Sequence, residues 1–357
     1  PAPAATPAAQ TAPVATPSTP ATTTAKPAAP LSELAKQWAE VDRLEKAKDA
    51  DGLLAQLKKL AAEHPTDANG GNALYRLGAV YYGRGKAAEA FGFWSKAARE
   101  LPETAGGKLS ALVLAGNAWN QQGVDKPNPN PARWEEIRDL YSIAIGRGDT
   151  PHLSPELRTQ VINRLNFLNK TIIFSPFSCR NSDEHTVKQR ETLETIARKY
   201  GVHSDSIAIM NGLQGQYLRE GMRLKILNMT SDRTEIVVDK KNLTLTLFLN
   251  GIWIKQYSVC IGPDRKTPTG TFTVTQKVVN PDWTDPKTRQ IIPFGHPENI
   301  LGTRWMRLTN DGIGIHGTTM PETIPGRVSN GCIRMHNADV EELYAFTLRL
   351  SKVTIIE

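Results

Sequence analysis

Two short segments near the carboxyl end of the chain carry residue types that can perform acyl transfer. Residues 315–318 contain His316, and residues 329–335 contain Cys332. A thiol is a weak nucleophile until it loses its proton, and a nearby imidazole can accept that proton and hold the thiolate as an ion pair. The sequence therefore predicts cysteine-dependent chemistry, with Cys332 as nucleophile, His316 as base and a thiol pKa below that of a free cysteine.

The residues around Cys332 can stabilise negative charge. Gly331, together with Asn330 and Cys332, can turn backbone N–H groups toward the oxyanion of a tetrahedral intermediate, where each donor contributes roughly 3–4 kcal/mol. Arg334 offers a fork of donors that either positions the loop or a substrate carboxylate, or forms a structural salt bridge. Ser329 is expected to form hydrogen bonds within its own turn.

The other cysteines lack such surroundings. Cys260 lies in an apolar stretch and is expected to be a small buried side chain, and Cys179 lies in a connecting segment. Three widely spaced cysteines argue against a disulfide framework and against a zinc site. We therefore expect no metal and no cofactor.

A mostly β region must position these residues. From residue 234 onward the hydrophobic pattern has a period of two, and Asn250-Gly251 is typical of a hairpin turn. A helix is predicted over residues 338–350. The Pro-rich loop over residues 280–297, which contains Trp283, is expected to cover the site as a lid.

Residues 234–357 resemble the L,D-transpeptidase (YkuD-type) catalytic domain. The resemblance rests on the segments around His316 and Cys332, on the Thr-Pro-Thr-Gly turn at 267–270 and on the Asn-Ile-Leu-Gly element at 299–302. Some members have a serine directly after the histidine. This chain has Gly317 there, so we expect the Gly317 carbonyl to accept a hydrogen bond from Nδ1 of His316.

The resemblance implies a reaction on peptidoglycan stem peptides. Cys332 would attack the carbonyl of the third residue of a tetrapeptide stem, expel the terminal D-Ala and hold the stem as a thioester. An amine of a neighbouring stem would then give a 3→3 cross-link. Water as acceptor would make the enzyme a carboxypeptidase, and a lipoprotein amine would attach a protein to the wall. A non-catalytic wall-binding scaffold is the alternative from another class.

Residues 185–228 show the order strand, helix, helix, strand. The first predicted helix ends at Gly201, and the second ends at Asn211-Gly212. This pattern resembles the LysM module, which implies binding of N-acetylglucosamine-containing glycans such as peptidoglycan. Where that family usually has a Gly-Asp turn, this chain has Gln189-Arg190-Glu191, and a purely structural spacer is the alternative.

Residues 31–173 have a helical pattern. Spacings from Leu74 to Pro102 match the 34-residue tetratricopeptide repeat, and a degraded second copy follows, interrupted by a Pro/Asn-rich insertion at 124–131. An ordinary helical bundle is the alternative. Because this region carries no catalytic constellation, we expect it to contact a protein partner or to act as a spacer.

Composition completes the predicted organisation. Residues 1–30 are rich in Pro, Ala and Thr, with Lys26 as the only charge, and predict a disordered tether. The net charge of +7 includes no basic run interleaved with aromatics, so nucleic-acid binding has little support. The fold prediction is multidomain: all-α repeats, a linker at 174–184, a small LysM-like module and a mostly β catalytic domain.

The predicted localisation is the cell envelope. No stretch is long and apolar enough to span a bilayer. The sequence begins with Pro1, so we expect that a signal peptide or anchor was removed.

Overall fold

The computed structural model describes residues 32–122, 131–148, 151–215, 217–309 and 312–357. The predicted tether at 1–30 lies outside the described residues, as does nearly all of the insertion at 124–131. In the described part, a helical region, a LysM region and a mostly β region follow one another in the predicted order, which confirms the fold class. No described helix is both long and apolar enough to cross a membrane.

In the helical region each helix packs against the next one along the chain. In the described residues these are α1 (Glu33–Lys46), α2 (Ala50–Glu63), α3 (Ala68–Gly83), α4 (Ala87–Glu100), α5 (Ala105–Gln122), α6 (Pro131–Ile145) and α7 (Pro155–Ile172).

Helices α3 and α4 cover the stretch with repeat spacing. A Cβ atom on Gly78 would lie 2.2 Å from the Trp94 indole nitrogen, so the glycine allows the two helices to approach closely. The Trp94 indole N–H also donates to the Tyr75 carbonyl at 3.1 Å. The helices therefore form where the pattern predicts them, and the tetratricopeptide assignment itself stays a prediction.

The LysM region has the predicted βααβ order. It consists of β1 (Ser182–Thr186), α8 (Leu193–Tyr200), α9 (Ser204–Met210) and β2 (Arg223–Leu227), with β1 antiparallel to β2.

Local side chains and backbone conformations bound these elements. Thr192 and Thr195 form a reciprocal capping box at the start of α8, and Gly201 ends the helix with φ = 67°. In the atypical turn, Arg190 adopts φ = 66°, and the Glu191 carboxylate accepts a bond from the Lys188 N–H at 2.8 Å. The turn is thus closed without the family's usual Gly-Asp pair.

The mostly β region contains one eight-stranded sheet, a small hairpin and a helix. The elements are β3 (Thr234–Asp239), β4 (Thr244–Leu249), β5 (Ile252–Ser258), β6 (Gly270–Val279), β7 (Trp283–Thr284), β8 (Ile291–Ile292), β9 (Arg304–Leu308), β10 (Gly314–His316), β11 (Ile333–Arg334), α10 (Asn337–Phe346) and β12 (Lys352–Ile356). The order in the large sheet is β11-β10-β9-β6-β12-β3-β4-β5.

The large sheet is mixed and curls on itself. β10 with β11 and β12 with β3 pair in parallel, and the other neighbours are antiparallel. The predicted hairpin turn is present, because Asn250 and Gly251 both have positive φ, 54° and 76°. Beyond β5, Cys260 exchanges two backbone hydrogen bonds with Arg334 of β11, at 2.9 and 2.8 Å. The two ends of the sheet therefore meet beside Cys332.

The three regions pack against one another. The Asn169 side-chain amide of α7 donates to the Trp253 and Ile254 carbonyls of β5 at 2.9 and 2.8 Å. The Lys225 ammonium of β2 donates to the carbonyls of Ile172, Ile173 and Ser175 at the end of α7. The predicted linker also packs, because the Phe174 ring meets the Phe346 ring at 5.4 Å.

Candidate active site

Strands β10 and β11 bring the two chemistry-bearing segments together. Ile315 pairs with Ile333 and His316 with Arg334 in parallel register. Because side chains alternate along a strand, Cys332 and Arg334 lie on the same face as His316. All three line one cavity of about 540 Å³, together with Ser329 and Asn330.

His316 is held as a neutral imidazole. Its side chain is 1% exposed, and Nδ1 donates to the Gly317 carbonyl at 2.6 Å, as predicted. Since a carbonyl can only accept, Nδ1 carries the proton and Nε2 is left as an acceptor. Burial, with a smaller contribution from the Arg334 charge, lowers the pKa of His316 to about 4. The Trp305 ring packs against the imidazole, with ring centroids 5.7 Å apart.

Cys332 is held as a thiol. Its side chain is half-buried, and Sγ donates to the Gly312 carbonyl at 3.4 Å. Burial raises the pKa of the Cys332 thiol above its ordinary value, although the Gly314 backbone and the Arg334 charge oppose the shift. The expectation of a lowered thiol pKa and a resting ion pair is therefore wrong. The physical reason is that desolvation penalises both charged forms, so the pair rests as thiol and neutral imidazole.

Asn337 fixes the turn that follows His316. Its Oδ1 accepts from the N–H groups of Thr318 at 3.0 Å and Thr303 at 3.4 Å, and its Nδ2 donates to the Thr318 carbonyl at 3.0 Å. A Cβ atom on Gly317 would lie 2.1 Å from this Oδ1. The sequence reasoning missed Asn337, because only the fold brings the first turn of α10 beside β10.

The turn before Cys332 has its own hydrogen bonds. Ser329 Oγ donates to the Cys332 carbonyl at 2.7 Å and accepts from the Gly331 N–H at 3.1 Å, which confirms its local role. Thr267 Oγ1 donates to the Gly331 carbonyl at 2.8 Å. Gly331 has φ = 129°, and a Cβ there would lie 2.7 Å from the Lys266 carbonyl oxygen, so only glycine fits.

The hydrogen bonds of this turn limit which backbone N–H groups can donate to an oxyanion. The Gly331 N–H is already engaged by Ser329 Oγ. In the described part of the chain, the backbone N–H groups of Asn330 and Cys332 have no hydrogen-bond acceptor. These two groups are therefore the available backbone donors beside the thiol.

The predicted lid forms one wall of the cavity. Residues 280–297 fold into the β7–β8 hairpin, and Trp283 lines the cavity. The Asn299 side-chain amide donates to the Pro281 and Ile292 carbonyls at 2.9 and 3.1 Å, which ties the base of the hairpin down. Opening and closing of this segment stays a prediction.

The remaining candidates lie outside the cavity. Cys260 is fully buried, as predicted, and Cys179 is half-buried beside Ser182. All three cysteines are free. His336, which follows the Cys332 segment directly, occupies the N-cap position of α10, and its side chain makes no capping hydrogen bond. The helix itself ends at Phe346 rather than at the predicted residue 350.

Comparison with known proteins identifies two domains in this chain. Residues 233–355 match the family described as L,D-transpeptidase catalytic domain, and residues 185–227 match the LysM domain. The chain is 33% identical over 175 residues to "Putative L,D-transpeptidase YkuD" of Bacillus subtilis (strain 168), covering 48% of this chain and 97% of that protein. It is 39% identical over 115 residues to "Putative L,D-transpeptidase YqjB" of the same organism, covering 30% of this chain and 63% of that protein.

A solved structure is also similar. The L,D-transpeptidase from Mycobacterium smegmatis shares 22% identity and a TM-score of 0.31, over 38% of this chain and 64% of that one, so the present chain spans about two thirds of that structure's length. The Bacillus YkuD protein, in contrast, is matched over nearly its whole length at 33% identity. The chain therefore belongs to the L,D-transpeptidase family and carries a LysM domain ahead of its catalytic domain.

Proposed function

We propose that this protein is a cysteine-dependent L,D-transpeptidase that forms 3→3 cross-links in peptidoglycan. The observation that carries the proposal is the shared face of β10 and β11, on which Cys332 and a tethered, unprotonated His316 Nε2 line one cavity. Family membership supports the reaction class.

Acylation starts from two neutral groups. As Cys332 Sγ bonds to the carbonyl carbon of the third stem residue, His316 Nε2 accepts the thiol proton. The N–H groups of Asn330 and Cys332 donate to the oxyanion. Collapse of the intermediate breaks the C–N bond, and the imidazolium gives its proton to the departing D-Ala nitrogen.

Deacylation reverses the roles. The side-chain amine of an acceptor stem attacks the thioester carbonyl and gives a proton to His316. The C–S bond then breaks, and the sulfur takes the proton back. The products are a cross-linked dimer and the free thiol, so the atoms balance without another reactant.

The other regions would place the enzyme on its polymer. The LysM domain supports binding to peptidoglycan glycan at residues 185–228, and a cell-envelope location follows from that substrate. The helical region supports a protein partner, since it presents a groove of about 410 Å³ between α4, α5 and α6.

Incubation with disaccharide-tetrapeptides, followed by mass spectrometry, tests the proposal. Dimers that have lost one D-Ala support transpeptidation, and Cys332→Ala should form none. Tripeptide monomers would instead identify a carboxypeptidase. Unchanged tetrapeptide with retained binding to insoluble peptidoglycan would identify a scaffold and refute the proposed activity.

A further inference from the structure

A buried cation, Arg334, lies beside the candidate nucleophile. Arg334 is 7% exposed, lines the cavity with Cys332 and His316, and pairs with no acid among the described residues. Its Nε is fully buried and has no hydrogen-bond partner there. The structural salt bridge that the sequence analysis gave as the alternative role of Arg334 is therefore not found in the described part of the chain. An unpaired buried charge is costly, so this arrangement indicates that an anion completes the site.

The backbone of Arg334 is fixed from both sides. Its N–H donates to the Cys260 carbonyl at 2.8 Å, and its carbonyl accepts from the Cys260 N–H at 2.9 Å. On the other side it pairs with His316 in the β10–β11 ladder. The strand therefore holds the guanidinium at a set position relative to Cys332, as a site for directional recognition requires.

The separation between Cys332 and Arg334 indicates which anion would bind. Two residues along a strand separate Cys332 and Arg334 by about 6.6 Å. In a donor whose carbonyl is attacked by Cys332, the next residue adds about 3.5 Å of extended chain. We propose that Arg334 binds the terminal carboxylate of the donor peptide, on the residue that leaves. This rests on the proposed function and makes Arg334 a specificity-determining residue.

This assignment predicts how the length of the donor peptide affects its recognition by Arg334. A donor that ends one residue after the attacked carbonyl presents a carboxylate to Arg334. A donor that is one residue longer presents a neutral amide at the same point and leaves the guanidinium unpaired. The proposal therefore predicts that lengthening the donor and amidating its terminus have the same effect.

The test compares a tetrapeptide stem with its C-terminal carboxamide, which has the same length and no charge. With the wild-type protein, kcat/KM for the carboxylate donor should exceed that for the carboxamide by about 30-fold or more. Arg334→Gln should lose this ratio by slowing only the carboxylate donor. Arg307→Gln, which alters an exposed arginine on the same cavity wall, should keep it. Equal kcat/KM for both donors in the wild type would overturn the proposal without needing any variant to fold.

Equilibrium binding separates this proposal from the proposed function. In Cys332→Ala, which cannot turn over, the carboxylate peptide should bind at least about tenfold more tightly than the carboxamide, and Cys332→Ala/Arg334→Gln should bind both alike. If the wild type turns over neither peptide but this difference in affinity is measured, the activity is wrong and the Arg334 site stands. If turnover occurs and the affinities in Cys332→Ala are equal, the Arg334 site is wrong and the activity stands.

Discussion

The pH dependence of Cys332 acylation reports how the active site holds its protons. In the proposed mechanism, acylation requires unprotonated His316, whose pKa burial lowers from an ordinary 6.5 to about 4. At pH 5.5 a group with that lowered pKa is about 97% unprotonated, whereas an ordinary histidine is only about 9% unprotonated. The shift corresponds to about 3 kcal/mol. We therefore expect the acylation rate at pH 5.5 to stay close to its value at pH 7 and to fall only as the pH approaches 4.

The assay is the acylation rate by a carbapenem-type β-lactam between pH 3.5 and 10, followed by mass spectrometry of the intact protein. His316→Gln is the matched variant, because glutamine keeps a donor for the Gly317 carbonyl but accepts no proton. The acylation rate of this variant should be low at pH 7 and should rise at higher pH, where the thiol ionises without the help of a base. Because burial raises the pKa of Cys332, that recovery should come above the ordinary range of a free cysteine.

Two results would refute this reasoning. A wild-type acid limb near pH 6.5 would mean that His316 titrates as an exposed imidazole. A wild-type rate for His316→Gln at pH 7 would remove His316 from the mechanism. Retained folding at each pH, measured by circular dichroism, excludes acid unfolding as the cause of any loss.

Further predictions concern the thiols, the turn after His316 and the packing of the domains. Cys332→Ala should abolish covalent labelling by a carbapenem, whereas Cys260→Ala should leave the adduct mass unchanged, because that thiol is fully buried. Asn337→Ala removes three hydrogen bonds from the turn and should lower kcat about 10- to 100-fold with little change in KM, measured on soluble stem peptides. Lys225→Met leaves the carbonyls at the end of α7 without their donor and should lower the free energy of unfolding by about 1–3 kcal/mol in urea titrations. Deletion of residues 185–227 should abolish sedimentation with insoluble peptidoglycan and also lower turnover of small muropeptides, because α9 packs on helix α10 of the L,D-transpeptidase domain.

Features set by neighbouring residues could be predicted from the sequence. The Asn250-Gly251 turn, the capped helix ending at Gly201 and the bond from His316 to the Gly317 carbonyl all depend on a few consecutive residues. The sequence also predicts that His316 and Cys332 lie close together, although they belong to separate motifs. The structure places His316 at the end of β10 and Cys332 directly before β11, its neighbouring strand.

Features set by the fold could not be predicted from the sequence. The pKa directions of His316 and Cys332 depend on burial by segments far away in the chain, so the predicted ion pair was wrong. The engagement of the Gly331 N–H by Ser329 Oγ depends on a backbone turn that Thr267 holds from another loop. Asn337 looks in the sequence like an ordinary first residue of a helix.

The packing of the LysM domain argues against a catalytic domain that works as an independent unit. Asp205 of α9 lies 3.9 Å from the Arg304 guanidinium of β9, and the His203 ring meets the Tyr344 ring of α10 at 5.1 Å. The Arg304 carbonyl in turn accepts the Gly317 N–H at 3.2 Å, directly after His316. Arg304 therefore joins the ion pair with the LysM domain to a single hydrogen bond from the residue that directly follows His316. If the LysM domain binds glycan as proposed, this packing would hold the glycan at a fixed position relative to Cys332 rather than on a flexible tether, and would raise the local concentration of stem peptides near the thiol.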